Sequence, residues 1–537
     1  MELDQVLTKL GEFGPYQRRV YHWYCMLTLS VAFHHLAQVF LGGFSDHWCT
    51  VPSSNTDLDC TEFRYSDCVD VDWGNDVNET QCSFYFGQNF GNETGTIECL
   101  DGYTFDHSQY TNTIQEDFGL VCDGKAKTAL AQMIYFAGVL TGSVVFGSLA
   151  DWIGRKPTLI ICVVIQCSLG LITAFVNSFA AYCALRFVVA AASIGIFLVA
   201  FIIATELVGL KWRTVAGTLI QVYWAVGIML LALMAYFIRD WTKLQIALSV
   251  PTAFGLFYMP LLPESVRWLL SQGAIEKAEV IIQKAAKVNN ITIPVHPFSE
   301  KVTKTDDGTT NHKHTLIDLF RTPVLRMRTL NIMYNWFVIV MVYYGLSLST
   351  SDLGIDPYLA FMLSGLIEIP AYIISIFAID YIGRKIVLSL SLLLGGLACL
   401  LTVFIHPGVV RVTIAMAGKF GLTAAFGIVY VYSAEIFPTP VRSAGLGLAS
   451  MSGRVGSIVS PLALYMGEWW TPLPLVLFSS MSFTGGLICL FLPETMGRKL
   501  PETLQEGEQF SSKPTRSQET YSMVDKFKTE SVAEPAV

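Results

Sequence analysis

Charge is scarce in this chain. Only 15% of its 537 residues are Asp, Glu, Lys or Arg, against 53% hydrophobic, and the mean hydropathy is +0.49. A soluble protein cannot hide that much apolar surface, whereas a bilayer takes it up at about 20 apolar residues per spanning helix. Catalytic signatures are missing too. No G-x-x-x-x-G-K-[ST], H-E-x-x-H or G-x-S-x-G occurs, which argues against ATP drive and against an enzyme. No basic patch with interleaved aromatics exists, so no nucleic-acid footprint is present. Residues 1–19 are polar and mildly amphipathic and lack the apolar core of a cleavable signal peptide. The first apolar run, near Val20–Gly43, is therefore expected to stay in place.

The charge that is present is unevenly spread. Between Gly43 and Ala126 there are 16 Asp/Glu against 2 Lys/Arg, so a net charge of −8 for the whole chain leaves +6 on the rest. Six of the twelve cysteines (Cys49, Cys60, Cys68, Cys82, Cys99 and Cys122) fall in this acidic stretch, with two N-x-[ST] sequons at Asn78 and Asn92. An even cysteine count with sequons predicts an oxidised, glycosylated extracellular loop. The rival reading is a zinc site, but the spacings are irregular and lack paired C-x-x-C units. Six cysteines allow about 15 pairings, and the spacing does not choose among them. Such a loop is also a surface through which copies of the chain can associate.

The chain is written twice. Asp151-x-x-Gly154-Arg155-Lys156 recurs 229 residues later as Asp380-x-x-Gly383-Arg384-Lys385. Glu206 and Arg213 recur at the same interval as Glu435 and Arg442, and Pro263-Glu264 recurs as Pro493-Glu494. Apolar runs follow the duplication, six to each half: near 20–43, 128–149, 158–176, 179–206, 215–237 and 244–262, then 330–349, 357–379, 386–405, 410–434, 445–466 and 471–492. The expected organisation is an N-terminus (1–19), a first six-helix half (20–262) containing the loop 43–126, a middle loop (263–329), a second half (330–492) and a tail (493–537). The segment Ile275–Val288 has helical periodicity. The tail from Gly497 is hydrophilic and reads as disordered.

Orientation follows from the basic residues. Arg18/Arg19, Arg155/Lys156, Lys211/Arg213, the middle loop, Arg384/Lys385 and Arg442 share one face, with Arg239 and Lys243 as the exceptions. That face, with both termini, is expected to be cytoplasmic. The protein is then a multi-pass plasma-membrane protein.

The 6 + 6 duplication and the twin D-x-x-G-R-K resemble the major facilitator superfamily. Gly11-Glu-Phe-Gly-Pro-Tyr-Gln-Arg18, the cysteine-rich first loop and Pro263-Glu-Ser-Val-Arg-Trp-Leu-Leu270 narrow this to the organic cation, anion and carnitine transporter family. Ala235-Tyr-Phe-Ile-Arg-Asp-Trp241 and Ala278–Lys287 are most similar to its carnitine/zwitterion branch. The resemblance implies an all-α, twelve-helix major facilitator fold and a polyspecific carrier of carnitine-like zwitterions or organic cations, with organic anions as the alternative. A glycosylated receptor or adhesion protein is the competing class, but a receptor has no need of two such motifs. No cofactor is implied. Sodium or proton coupling occurs among such carriers, yet spans one and four offer no asparagine to support a sodium site.

Charges inside spans need reasons, because each costs about 2.5–3.5 kcal/mol at a helix centre. They are Arg186, Glu206, Glu368, Lys419, Glu435 and Arg454. At one face, Asp151, Gly154, Arg155, Glu206 and Arg213, with Asp380, Gly383, Arg384, Glu435 and Arg442, read as a conformational latch of charge-assisted pairs. Positive-inside signalling alone would account for the basic residues but not the acids. Arg454 sits mid-span in Ser452-Gly-Arg-Val-Gly-Ser457, where a guanidinium suits bidentate capture of a carboxylate. In the family, purely cation-selective members carry an acid at this place. The other reading is an internal salt bridge to Glu435 or Glu368. A quaternary ammonium would need aromatic faces, and the candidates are Tyr223, Trp224, Trp336, Tyr343, Tyr344, Tyr372, Tyr430 and Tyr432. Glu368 and Tyr372 share one helical face. Gln221, and His34 and His35 with Gln38, are polar where apolar residues would be cheaper; they line a pathway or are satisfied interior groups. Lys419 is expected to pair with a neighbouring carboxylate.

Overall fold

In the computed structural model, described for residues 3–49, 77–79, 83–86, 95–98, 103–298, 316–498 and 500–510, the architecture is all-helical apart from short strands. Twelve helices carry it: α1 (Pro15–Leu36), α2 (Lys125–Ile153), α3 (Arg155–Thr173), α4 (Phe179–Glu206), α5 (Arg213–Phe237), α6 (Trp241–Tyr258), α7 (Pro323–Leu348), α8 (Pro357–Tyr381), α9 (Arg384–Phe404), α10 (Val409–Ile436), α11 (Arg442–Tyr465) and α12 (Leu473–Cys489).

Among the described residues, ten helices are long and apolar enough to cross a bilayer by themselves. The two that fall short are α11 and α12. The α11 stretch holds Arg454 and a run of Gly and Ser, and α12 has 17 residues. Close packing explains the small residues. A Cβ on Gly456 would stand 2.4 Å from the Phe337 carbonyl oxygen, and one on Gly453 would stand 2.9 Å from Val340. The room beside Arg454 is thus taken by α7, as small residues allow inside a bilayer.

Each half has its own apolar core. One runs through α1–α6 and takes in Tyr358 and Phe361 from α8; the other is built from α7–α12 around Trp336, Phe437 and Phe478. Helices α5 and α8, and α2 and α11, pack across the divide. One face of the bundle bears the first and last described residues, 3–9 and 500–510 (the terminal face), and the other bears residues 43–49 and 103–124 (the loop face). On the loop face, β1 (His47–Cys49) pairs antiparallel with β5 (Tyr103–Phe105), while β2 (Val77–Glu79), β3 (Ser83–Phe86) and β4 (Gly95–Glu98) form a second small sheet. Tyr358 joins the halves there. Its ring stacks on Phe40 with centroids 5.4 Å apart, and its hydroxyl donates to the Gln109 carbonyl at 3.2 Å. Lys125 pairs with Glu468 at 2.9 Å. Arg239, an exception to the charge bias, lies over the rings of Tyr236 and Tyr358.

Both ends of the chain depart from the expected polar tails. Leu3–Lys9 is a helix that buries Val6 and Leu7. After α12, Leu504–Gln509 is a helix docked under α7, so the disorder expected from Gly497 does not hold for residues 500–510. Glu508 accepts from the Thr322 hydroxyl and from the backbone N–H of Val324 and Leu325, capping α7. The carbonyls of Gly507 and Phe510 accept from Arg328. Composition predicts a tail; caps and a buried guanidinium hold part of it. In the first half the same task falls to Asn289, the last residue of the helix Ile275–Asn289, expected over Ile275–Val288, whose Oδ1 accepts from Tyr16 N–H at 2.9 Å at the start of α1.

Cys60, Cys68, Cys82, Cys99 and Asn92 lie outside the described residues. Cys49 ends β1 and Asn78 lies in β2. Cys122 is disulfide-bonded. Among the described residues the free cysteines are Cys25, Cys162, Cys167, Cys183, Cys399 and Cys489, which lie outside the acidic stretch.

Candidate solute site and the charge pairs of the terminal face

The repeated motifs become repeated hardware. Gly154 and Gly383 end α2 and α8 at φ +110° and +104°, a region that L side chains rarely adopt. Each turn places the next helix start against a carboxylate. Glu264 accepts from the backbone N–H of Arg155 and Lys156, and Glu494 from those of Arg384 and Lys385, at 2.9–3.2 Å. A Cβ on either glycine would lie 2.7 Å from the capping oxygen. Negative charge at a helix N-terminus is favourable both by hydrogen bonding and by the helix dipole. In the sequence Pro263-Glu264 and Pro493-Glu494 stand only as markers of duplication. Their recurrence alongside the two glycines is the signal for this role. The next residues repeat as well: Ser265 donates to Glu206 and Thr495 to Glu435, both at 2.5 Å.

The arginines break the symmetry. Arg384 donates to both oxygens of Glu435, through Nε at 3.1 Å and Nη2 at 3.3 Å, and stands 3.5 Å from Asp380. Arg155 pairs with Asp151 at 2.8 Å, but its Nε is buried without a partner among the described residues. Glu206 is thus gripped by Ser265 rather than by Arg155 or Arg213. Arg213 turns instead to Asp4 of the N-terminal helix at 2.7 Å, and Arg267 joins it at 2.9 Å. Arg442 donates through Nε to the Phe437 carbonyl at 3.2 Å. Asp4 could not be found from sequence, because its partners are more than 200 residues away.

At mid-bundle, Glu368 on α8 is fully buried and ion-paired with Lys419 on α10 at 3.1 Å. Tyr343 donates its hydroxyl to the same carboxylate at 2.7 Å, and Trp224 Nε1 donates to Tyr343 at 3.1 Å from the other half. The Lys419 ammonium also lies 3.4 Å from the Tyr343 ring centroid and donates to the Ser347 hydroxyl. Glu368 is therefore already compensated.

Arg454 is not. It is half-buried, and among the described residues its guanidinium has no ion pair or hydrogen bond. Neither Glu435, held by Arg384, nor Glu368, held by Lys419, reaches it. Its electrostatic neighbours are Tyr430 and Tyr344. Tyr430 packs on Trp336 with centroids 4.4 Å apart, and Tyr344 on Phe136 of the first half at 4.7 Å. The aromatic set continues through Tyr135 to His35, which faces Trp224 at 5.3 Å. These rings line the seam between the halves at the level of Arg454. Gln221 is buried on α5 one turn from Trp224, and Tyr372 is buried against α10, where a Cβ on Gly427 would meet its ring at 3.3 Å. Two candidates leave the set. Tyr223 hydrogen-bonds His22, and Tyr432 donates to the Pro493 carbonyl at the terminal face.

The profile of the sugar (and other) transporter family matches residues 80–506. The chain is 39% identical to the organic cation transporter protein of Drosophila melanogaster over 96% of both chains. It is 34% identical to human organic cation/carnitine transporter 2 over 94% of both, and 37% identical to human solute carrier family 22 member 13 over 94% of this chain and 93% of the other. In structure it is similar to the proton:xylose symporter XylE bound to 6-bromo-6-deoxy-D-glucose (TM-score 0.55, 18% identity, 72% of this chain and 90% of that one). The inward-open form of XylE from E. coli gives a TM-score of 0.56 at 18% identity, covering 72% and 89%. That likeness establishes the fold. The chain belongs to the sugar (and other) transporter family of the major facilitator superfamily, among its organic cation and carnitine transporters.

Proposed function

We propose that this protein is a polyspecific plasma-membrane carrier whose preferred solutes are carnitine-like zwitterions. The observation that carries the reading is the guanidinium of Arg454, unpaired among the described residues and set among aromatic rings, while the buried carboxylate of Glu368 is held by Lys419. The guanidinium receives the solute carboxylate, and the faces of Tyr344, Tyr430 and Trp224 receive its quaternary ammonium, with Gln221, His35, Tyr372 and the Glu368 pair around them. The names of the relatives, which include organic cation and carnitine transporters, support this class. Organic anions are the second reading, favoured by the compensation of Glu368, since Arg454 alone suffices for them.

The two halves work by alternating access about the central site. Asp151, Arg155, Glu206 and Arg213, with Asp380, Arg384, Glu435 and Arg442, form the latch of the terminal face. In this proposal that face is cytoplasmic, with residues 1–19, the middle loop 263–329 and the tail 493–537, and the 43–126 loop is outside. That loop is disulfide-linked through Cys49, Cys60, Cys68, Cys82, Cys99 and Cys122, glycosylated at Asn78 and Asn92, and available for pairing between copies.

Uptake of radiolabelled carnitine, a plain quaternary ammonium and a dicarboxylate by cells expressing the chain tests the reading. Arg454→Ala should abolish uptake of carboxylate solutes while sparing the simple cation, and Arg454→Lys should restore the carboxylates only in part. Carnitine uptake that survives Arg454→Ala unchanged would make Arg454 structural.

A further inference from the structure

The two halves treat their buried base differently. In the second half, Lys419 on the fourth helix lies over a tyrosine ring and is paired with the carboxylate of Glu368 on the second helix. In the first half, Arg186 on the fourth helix also lies over a tyrosine ring, that of Tyr135 on the second helix, 4.4 Å from its centroid. Among the described residues no carboxylate pairs with it. Arg186 is 1% exposed, and among the described residues its Nη1 and Nη2 have no hydrogen-bond partner.

The groups around it share this condition. His34, fully buried and within the field of Arg186, has both ring nitrogens unpartnered. Gln38 accepts from the Tyr182 hydroxyl through Oε1 at 3.1 Å and leaves its buried Nε2 amide without an acceptor. The unused atoms of Arg186 and Gln38 can only donate, and a neutral imidazole adds a third donor. An uncompensated cation and orphaned donors are costly inside a fold, and a small acceptor carrying negative charge beside Arg186 would offset its charge and accept from the free donors within reach. Of the three, Gln38 also lines a cavity of about 560 Å³ on the loop face, together with Gln132, Thr128 and Lys125, and stands between that cavity and the Tyr182 hydroxyl.

We propose that Arg186, with Gln38 and His34, forms an anion site in the first half, filled from the loop face by a small monovalent anion, either a halide or a carboxylate group. The site is separate from Arg454 and does not depend on which solute the protein carries. His35 lies within the fields of both Arg186 and Arg454, so filling the site also lowers the positive potential at the seam.

The test uses purified full-length protein, so it stands whether or not the assignment of solutes does. Its melting temperature is followed in sodium gluconate while chloride or acetate replaces gluconate at constant ionic strength. The expected result is a saturable rise. Arg186→Gln should abolish the rise or weaken the half-saturating concentration by about 10-fold or more, as loss of a charge-assisted donor implies. Gln38→Leu should weaken it less, and Arg454→Ala should leave it in place. In gluconate alone Arg186→Gln should be no less stable than the parent, because it removes an unpaired buried charge. A rise with chloride identifies a halide site, and a rise with acetate alone a carboxylate site. No rise with either anion, or a full-size rise retained in Arg186→Gln, overturns the proposal. Should that variant not purify, a full-size rise in Gln38→Leu overturns it equally.

Discussion

Arg384 grips both oxygens of Glu435, whereas Arg155, its counterpart one repeat earlier, leaves Glu206 to Ser265. The two sites share one sequence pattern and one helix geometry, so the difference lies in side-chain pairing alone. In the first half Arg213, spaced from Glu206 as Arg442 is from Glu435, is drawn away by Asp4.

That asymmetry sets the first expectation. Arg384→Gln removes a bidentate, partly buried pair and should slow maximal uptake per surface molecule several-fold. Arg155→Gln loses one exposed i,i+4 partner and should have a smaller effect. Surface biotinylation with uptake kinetics compares them; equal losses would show that the Arg384–Glu435 pair has no special part in turnover.

The Glu368–Lys419 pair should behave as a unit. Breaking it with Glu368→Gln leaves a buried ammonium uncompensated, which costs about 3–5 kcal/mol. Adding Lys419→Met should return part of the lost stability. Thermal melts of the single and double variants decide this, and a double variant no more stable than Glu368→Gln would show that the partners are not coupled.

At the terminal face, Glu494→Ala should cost about 0.5–2 kcal/mol through loss of the cap on α9. Gly383→Ala should cost more, because a Cβ there meets both a positive φ and the capping carboxylate 2.7 Å away. If melting shows Gly383→Ala to be the milder change, the glycine is not required by this turn.

Truncation separates the docked part of the tail from the residues beyond it. Removing residues 511–537 should leave the melting temperature unchanged, and removing 500–537 should lower it by uncapping α7 and freeing Arg328. Burial pushes the Glu508 carboxyl up, but bonds from Thr322, Val324 and Leu325 outweigh it and hold the group below its ordinary range. Its contribution is therefore present at neutral pH and is lost as pH falls through that lowered value. Acid melts of the full chain and of the 500–537 truncation should converge; a constant gap would rule out this ionisation as the source.

The duplication, the apolar helices and six of the charges within them, from Arg186 to Arg454, were legible in the sequence, because a bilayer demands long apolar runs and makes such exceptions conspicuous; Arg328, buried in α7, was not singled out. Glycine at a turn and proline-glutamate after a half could be seen to recur for the same reason: local backbone needs leave local marks. What the pairings would be could not be read that way. Whether Glu368 faces Lys419 or Arg454, whether Arg213 meets Glu206 or Asp4, and whether Arg186 meets any carboxylate depend on which helix faces meet. The pairs that form, Glu368–Lys419 and Arg213–Asp4, are 51 and 209 positions apart, and a pairing energy exists only once the bundle has brought the two side chains within a few ångströms. The tail shows the same division. Its composition favours solvent, and the N–H groups at the start of α7, the buried Arg328 and the Thr439 N–H that donates to the Pro501 carbonyl hold its first turn in place.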